Sequence, residues 1–402
     1  MISPARRITE GTPKSFGMYE KALALEAQGV KLFHMEFGRP CQQTPELIKQ
    51  AAIDALGAGH VHYSDLQGEL IFREELAKKL NRYNKIPAVA DDILVTNGLT
   101  HGSYAAIMAS VNPGDEVILL EPYYPQHVGK IELAGGIVVR APLDAENGFA
   151  LNPDLIRPFI TNRTKAIMLI NPCNPTGRVY SSQELEGLAA IAIAHDLLVI
   201  ADEVYEEIIF EGEHISIATL PGMAERTISL FAFTKAYAMD GWRLGYATGP
   251  QALLKAMLKI TANDVTHVNP FVQYGGLAAL RDGHDAMQAM LADDREKRDV
   301  AVAALNAMPG VNCIAPEGTI YVWADISGTH MQSTELATRI LEEAHVVVEA
   351  GGFYGPSGDH FLRICFGSEP LERVKEAMVR MSRVLDSMAE SDAQGQLTGE
   401  VL

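Results

Sequence analysis

Along this chain, short runs that are almost wholly apolar and rich in β-branched residues alternate with stretches whose apolar positions recur every three or four residues. The runs ILVTNG (93–98), EVILLEP (116–122), IVVRAPL (137–143), AIMLINP (166–172), LLVIADE (197–203), TISLFAF (227–233) and RLGYATG (243–249) lack the in-and-out alternation of a half-exposed strand. They predict strands buried on both faces, the pattern of a central, mostly parallel seven-stranded sheet. Helical patterns at 182–195 and 253–262 fall between them, which is the crossover rhythm of α/β architecture, and no internal repeat interrupts it.

The last third changes character. Long helical patterns at 284–307 precede TIYVWADI (319–326), a helical pattern at 334–344, VVVEAG (346–351), FLRICFG (361–367) and a final helical pattern at 369–388. This predicts a smaller α+β domain. The expected division is an N-terminal segment with part of the small domain at 1–48, a large domain at 49–285, the small domain at 286–390 and a disordered polar tail at 391–402. A cleft between a large and a smaller domain is where ligands tend to sit.

Composition narrows the function classes. At 402 residues and 48% apolar content the chain is long enough for more than one packed core. Thirty-three basic against 51 acidic residues give a formal charge of −18, and no Lys or Arg run is dense enough to track a phosphate backbone, which argues against nucleic acid. The four cysteines, Cys41, Cys173, Cys313 and Cys365, form no C-x-x-C pair, so neither a disulfide framework nor a metal site is expected. The N-terminus lacks an apolar leader and no interior run is long enough to span a bilayer, so a cytoplasmic protein is the expectation.

Candidate chemistry lies at the ends of the apolar runs, where open α/β sheets bind ligands. In SLFAFTKAYAMDGWRLGY (229–246), Lys235 sits among Phe233, Ala236, Tyr237 and Ala238, and Arg243 follows eight positions later. Desolvation there would favour the free amine that carbonyl chemistry needs, although the same lysine could simply lay its stem on apolar surface. Gly98, Leu99 and Thr100, before a helix expected near His101, could turn backbone N–H groups toward an anion or serve as ordinary punctuation. Tyr124 could cover a flat ring or pack in the core. The turn 171–177, with two Asn-Pro steps, could hold the Asn174 amide rigidly. Asp202, Glu203 and Tyr205 close an unbroken apolar run, and a buried carboxylate requires a partner.

Together these segments resemble one family, the class I/II aminotransferases of the pyridoxal-phosphate fold type I superfamily. The resemblance spans residues 32–385 and rests on MEFGRPCQQTP, YSDLQGELIFR, VTNGLTHG, EPYYPQH, NPCNPTG, ADEVY, AFTKAYAMDGWRLGY and FLRICFG, in that order. It implies that Lys235 holds the cofactor aldehyde as a Schiff base and later shuttles a proton, and that Asp202 pairs with the pyridinium nitrogen. By the same resemblance Tyr124 stacks on the ring, Asn174 and Tyr205 bond its phenolic oxygen, and His127 orients Asp202 or is a core histidine. The phosphate would rest on Gly98, Leu99, Thr100 and Arg243, with Tyr63 reaching in from a second subunit of a homodimer. Arg363 would grip the substrate α-carboxylate, with backbone around Phe37 and Gly38 closing over it and Asn174 alongside.

Two positions depart from the family pattern. Ala232 stands where a phosphate-binding serine is usual, three residues before the lysine, and Leu99 stands where alanine or serine is commoner. The resemblance implies ping-pong transfer of an amino group from an L-amino acid to a 2-oxo acid such as 2-oxoglutarate or pyruvate. Phe16, Tyr19, Arg39 and residues 263–271 are the candidates for choosing the side chain, and their apolar and aromatic members favour neutral or aromatic amino acids. Other fold type I reactions, such as elimination, racemisation or oxidation, share the first half of catalysis. A cofactor-binding sensor module is the remaining alternative.

Overall fold

The computed structural model describes residues 2–12 and 17–399, without the side chains of 392–399. It divides into two compact units. The first comprises Met1–Lys14, Gln42–Asn174 and Arg178–Leu291, and the second comprises Ser15–Cys41, Pro175–Gly177 and Ala292–Leu402.

All seven expected strands form in the first unit. They are β1 (Ile93–Thr96), β2 (Glu116–Glu121), β3 (Ile137–Pro142), β4 (Thr164–Ile170), β5 (Leu198–Asp202), β6 (Thr227–Ala232) and β7 (Gly245–Thr248), in the spatial order β1-β7-β6-β5-β4-β2-β3. Five of them, β3-β2-β4-β5-β6, pair in parallel; β7 runs antiparallel to both β6 and β1. The sheet is therefore mixed but mostly parallel. The helix Ser182–Ala194 follows β4 and starts on a capping box, in which Ser181 Oγ accepts from the Glu184 N–H while Glu184 accepts from the Ser181 N–H.

Side chains alternate across a strand, so each strand feeds two cores. Leu94, Ile200, Leu230 and Ala247 join one apolar cluster with the helices Gly98–Ser110 and Gln126–Leu133. Ile93, Val95, Phe231 and Tyr246 join the other, with Phe72, Leu76 and Leu277. Asp202 shares its parity with Leu198 and Ile200 and faces the first cluster. Glu203 faces the opposite way, where its carboxylate meets His214 at 3.1 Å and Ser216 Oγ at 2.8 Å.

In the second unit, β8 (Asn312–Cys313), β9 (Tyr321–Asp325), β10 (Glu349–Ala350) and β11 (Phe361–Cys365) form an antiparallel sheet in the order β10-β11-β9-β8. The two-residue strand Phe33–His34 pairs in parallel with Val346–Val347, which ties the N-terminal segment into this unit. The final helix, Leu371–Gly399, extends past the expected 388. Within the stretch read as a tail, 391–402, the side chains beyond 391 and residues 400–402 lie outside the described residues, as does Phe16. No helix among the described residues is long and apolar enough to cross a membrane.

Candidate active site

The topology gathers the first unit's candidate residues at one edge. The parallel strands point their carboxyl ends the same way, and β1, related to β6 through the antiparallel β7, points with them. Thr96, Gly245 and Ala232 are register partners there, so the residues after β1 and β6 and those just before β7 emerge together. Gly98–Thr100, Tyr124 and His127, Asn174, Asp202 and Tyr205, Lys235, and Arg243 all follow from this one edge.

The helix Gly98–Ser110 begins at Gly98, three residues earlier than expected. Gly98 has φ +76°, and a Cβ there would lie 2.5 Å from Arg243 Nη2. The missing side chain lets the guanidinium lie against the helix N-terminus, where unpaired N–H groups and the helix dipole already favour an anion. Arg243 is itself left-handed (φ +55°), and its Nη1 donates to the Asp240 carbonyl at 2.7 Å.

Asp202 is almost fully buried, with Oδ1 accepting from the Val204 N–H at 3.2 Å. His127 Nε2 stands 3.7 Å from Asp202 Oδ2, too far for a direct hydrogen bond. Neither ring nitrogen of this wholly buried histidine has a hydrogen-bond partner among the described residues. Burial, and then the Lys130 cation, hold its pKa below the usual value, so the imidazole is neutral. Tyr124 meets it edge-on with ring centroids 5.4 Å apart. Lys235, in the turn after β6, places Nζ 5.8 Å from the centroid of the buried Tyr205 ring. Asn174 is buried after β4. Tyr63 stands apart, 90% exposed, its ring centroid 5.6 Å from that of His267.

An anion cup built from a helix N-terminus and an arginine, a buried acid beside a neutral histidine, and a lysine beside a buried tyrosine fit a phosphorylated pyridine aldehyde part by part. No group of three metal-ligating side chains is present among the described residues.

In the second unit Arg363 lies on β11, between Trp323 of β9 and Glu349 of β10. Its guanidinium carbon is 4.2 Å from the Tyr321 ring centroid and 4.9 Å from that of Tyr354, and Nη2 donates to the Glu36 carbonyl. Arginine keeps its charge when buried, and two aromatic faces suit its weakly hydrated plane. Gly38 is held by contact: a Cβ there would run into the Tyr321 hydroxyl.

Three residues near these groups escaped the sequence reading: Ser103, Lys130 and Glu349. Glu349, paired with Arg363 across the strands, is buried and accepts from the N–H groups of Met18 (3.1 Å) and Ala350 (3.2 Å). Burial pushes its pKa up to about 7, against the pull of Arg363. A raised carboxyl binds its proton more tightly folded than unfolded, so stability falls as pH rises from about 4.5, the ordinary glutamate value, to about 7. Over that window the loss is about 3 kcal/mol at most. Thermal unfolding at pH 5 and pH 8 should show this fall in the wild type and a flatter profile in Glu349→Gln; identical profiles would remove Glu349 as the cause.

The sheet order, the ligand edge and the donor set define a pyridoxal-phosphate-dependent enzyme of fold type I. Residues 31–381 match the family model for aminotransferase class I and II, and the chain belongs to that family. It is 35% identical over 395 residues to the aspartate aminotransferase of Musicola paradisiaca, with 97% of each chain covered. It is 37% identical to the arginine–pyruvate transaminase of Pseudomonas aeruginosa, covering 91% of this chain and 94% of that one. Among solved structures, the Thermus thermophilus aspartate aminotransferase with maleate superposes with a TM-score of 0.90 at 35% identity, covering 96% of this chain and all of that one. The aromatic aminotransferase from Pyrococcus horikoshii gives 0.86 at 35% identity, covering 91% and 99%. The protein is an aminotransferase that uses pyridoxal phosphate and acts on amino and oxo acids.

Proposed function

We propose that this enzyme moves the amino group of a neutral or aromatic L-amino acid to a 2-oxo acid, such as 2-oxoglutarate or pyruvate, in two successive half-reactions at one site. The observation that carries the side-chain preference is the Tyr19–Phe37 pair, with ring centroids 4.4 Å apart, in the second unit and one residue from Gly38. An apolar, aromatic wall beside the backbone read as closing over the substrate suits a side chain without charge.

When bound, pyridoxal phosphate supplies an aldehyde for primary amines and a ring that accepts an electron pair from the substrate α-carbon. Lys235 provides the amine that holds the aldehyde and, once displaced, carries the proton at the substrate α-carbon. Asp202 would pair with the ring nitrogen, its burial removing competing water. Asn174 and Tyr205 would donate hydrogen bonds to the phenolic oxygen, and Tyr124 would cover the ring. The amides of Gly98, Leu99 and Thr100 and the Arg243 guanidinium hold the phosphate; Ala232 adds no hydroxyl there. Arg363, with Gly38, orients the α-carboxylate.

A homodimer accounts for Tyr63: Val61, Tyr63, Leu66 and Leu70 are all exposed within one short stretch, and a second copy would cover them while receiving the tyrosine at its phosphate. A cytoplasmic location completes the reading.

Mixing the purified enzyme with single L-amino acids and no oxo acid tests it. The cofactor's band near roughly 400 nm should give way to one near 330 nm, stoichiometrically, fastest with phenylalanine, tyrosine or leucine. Equal responses to aspartate, glutamate and phenylalanine would overturn the preference. Catalytic release of ammonia with the band intact would overturn the two-half-reaction scheme.

A further inference from the structure

Lys130 lies one helical turn after His127 on the helix Gln126–Leu133, so the two share a face. It is 7% exposed, an unusual place for a lysine. Its Nζ donates to Ser103 Oγ at 2.7 Å, and Ser103 Oγ donates to the Thr100 carbonyl at 3.1 Å, in the first turn of the helix that forms the anion cup. Ser103 is wholly buried. A chain of buried polar groups thus runs from the cup, through Ser103, to the side chain that follows His127, and His127 in turn stands against Asp202.

A buried amine whose hydrogen bond goes to a neutral hydroxyl is costly, and a methionine of similar length would fill the same space without that cost. Packing alone therefore does not account for it. The surrounding charges do. Asp202 is the carboxylate that acts on Lys130; burial brings the lysine's pKa down to about 8 against that attraction. Lys130 in turn helps to keep His127 neutral. Three neighbouring charged groups are engaged elsewhere: Glu132 accepts from Thr12, Arg140 donates to Tyr123, and His101 faces Asp264.

We propose that Lys130 is a positioning residue of the cofactor site, placing a titratable positive charge behind Asp202 and His127 and tying that charge to the first turn of the phosphate cup. The inference rests on the reading that Asp202 meets the ring nitrogen. With Asp202 directed at the ring nitrogen, the positive charge of Lys130, which Asp202 attracts, would oppose protonation of the cofactor.

The test is the pH titration of the bound cofactor's visible absorbance. Lys130→Met and Lys130→Gln, the second keeping a donor for Ser103, should each move the midpoint upward by about half a pH unit or more, because a nearby positive charge has been removed. Ser103→Ala, which keeps the charge, should move it less. Wild-type midpoints in both Lys130 variants, beside a displaced midpoint in Asp202→Ala, would overturn the role of Lys130 alone. An undisplaced midpoint in Asp202→Ala would overturn the Asp202 reading itself, and the inference with it.

Discussion

Lys235→Ala should lower kcat by about 10^4-fold, because the proposed mechanism asks one side chain both to hold the cofactor and to move the proton. The turn after β6 sets Nζ beside the buried Tyr205 ring, at the edge where the parallel strands end. Two other lysines of the first unit are engaged elsewhere: Lys130 is enclosed, and Lys79 is bound to Glu206 on the sheet's other face. Two readouts separate the roles. Borohydride should fix the cofactor covalently to the wild-type chain on a peptide containing Lys235, and to no peptide of the variant. A small primary amine in solution should restore part of the lost rate by carrying the proton itself. A loss smaller than tenfold, with covalent labelling retained elsewhere, would move both roles to another residue.

The candidate residues stood out in the sequence because their chemistry interrupts strong local signals. Asp202 and Lys235 each break an apolar run at a strand end, where a structural residue would have continued the pattern. The seven runs marked the sheet for the same reason: residues buried on both faces leave little ambiguity.

What escaped has equally physical causes. The reversed direction of β7 is set by pairing, and an apolar run carries no sign of direction. The helix start at Gly98 depends on a positive φ and on the close approach of Arg243, neither of which a single sequence displays. Phe33–His34 is too short to show any period and is held by its register with Val346–Val347. Lys130 and Glu349 drew no reading, since only tertiary packing buries them. His127 was readable as either a core or an oriented histidine, and its 3.7 Å separation from Asp202 leaves both roles physically consistent.

Asp202→Ala should cost about 10^2 to 10^3-fold in kcat, the scale on which a preorganised charge acts in a water-excluded site. The carboxylate sits at the end of β5, held by the Val204 N–H, on the face shared with His127 and the helix Gly98–Ser110. Its proposed role is to keep a proton on the ring nitrogen, so the deficit should track that proton and not substrate binding: kcat should fall with KM changed little. The remedy should be equally specific. A cofactor analogue methylated on the ring nitrogen carries the positive charge permanently and should restore activity to the Ala variant more than to the wild type. Asp202→Asn, which keeps the shape and removes the charge, should resemble Ala in rate. Full activity in the Asn variant would mean that Asp202 acts through hydrogen bonding alone, and the charge argument for both Asp202 and the amine behind it would fall together.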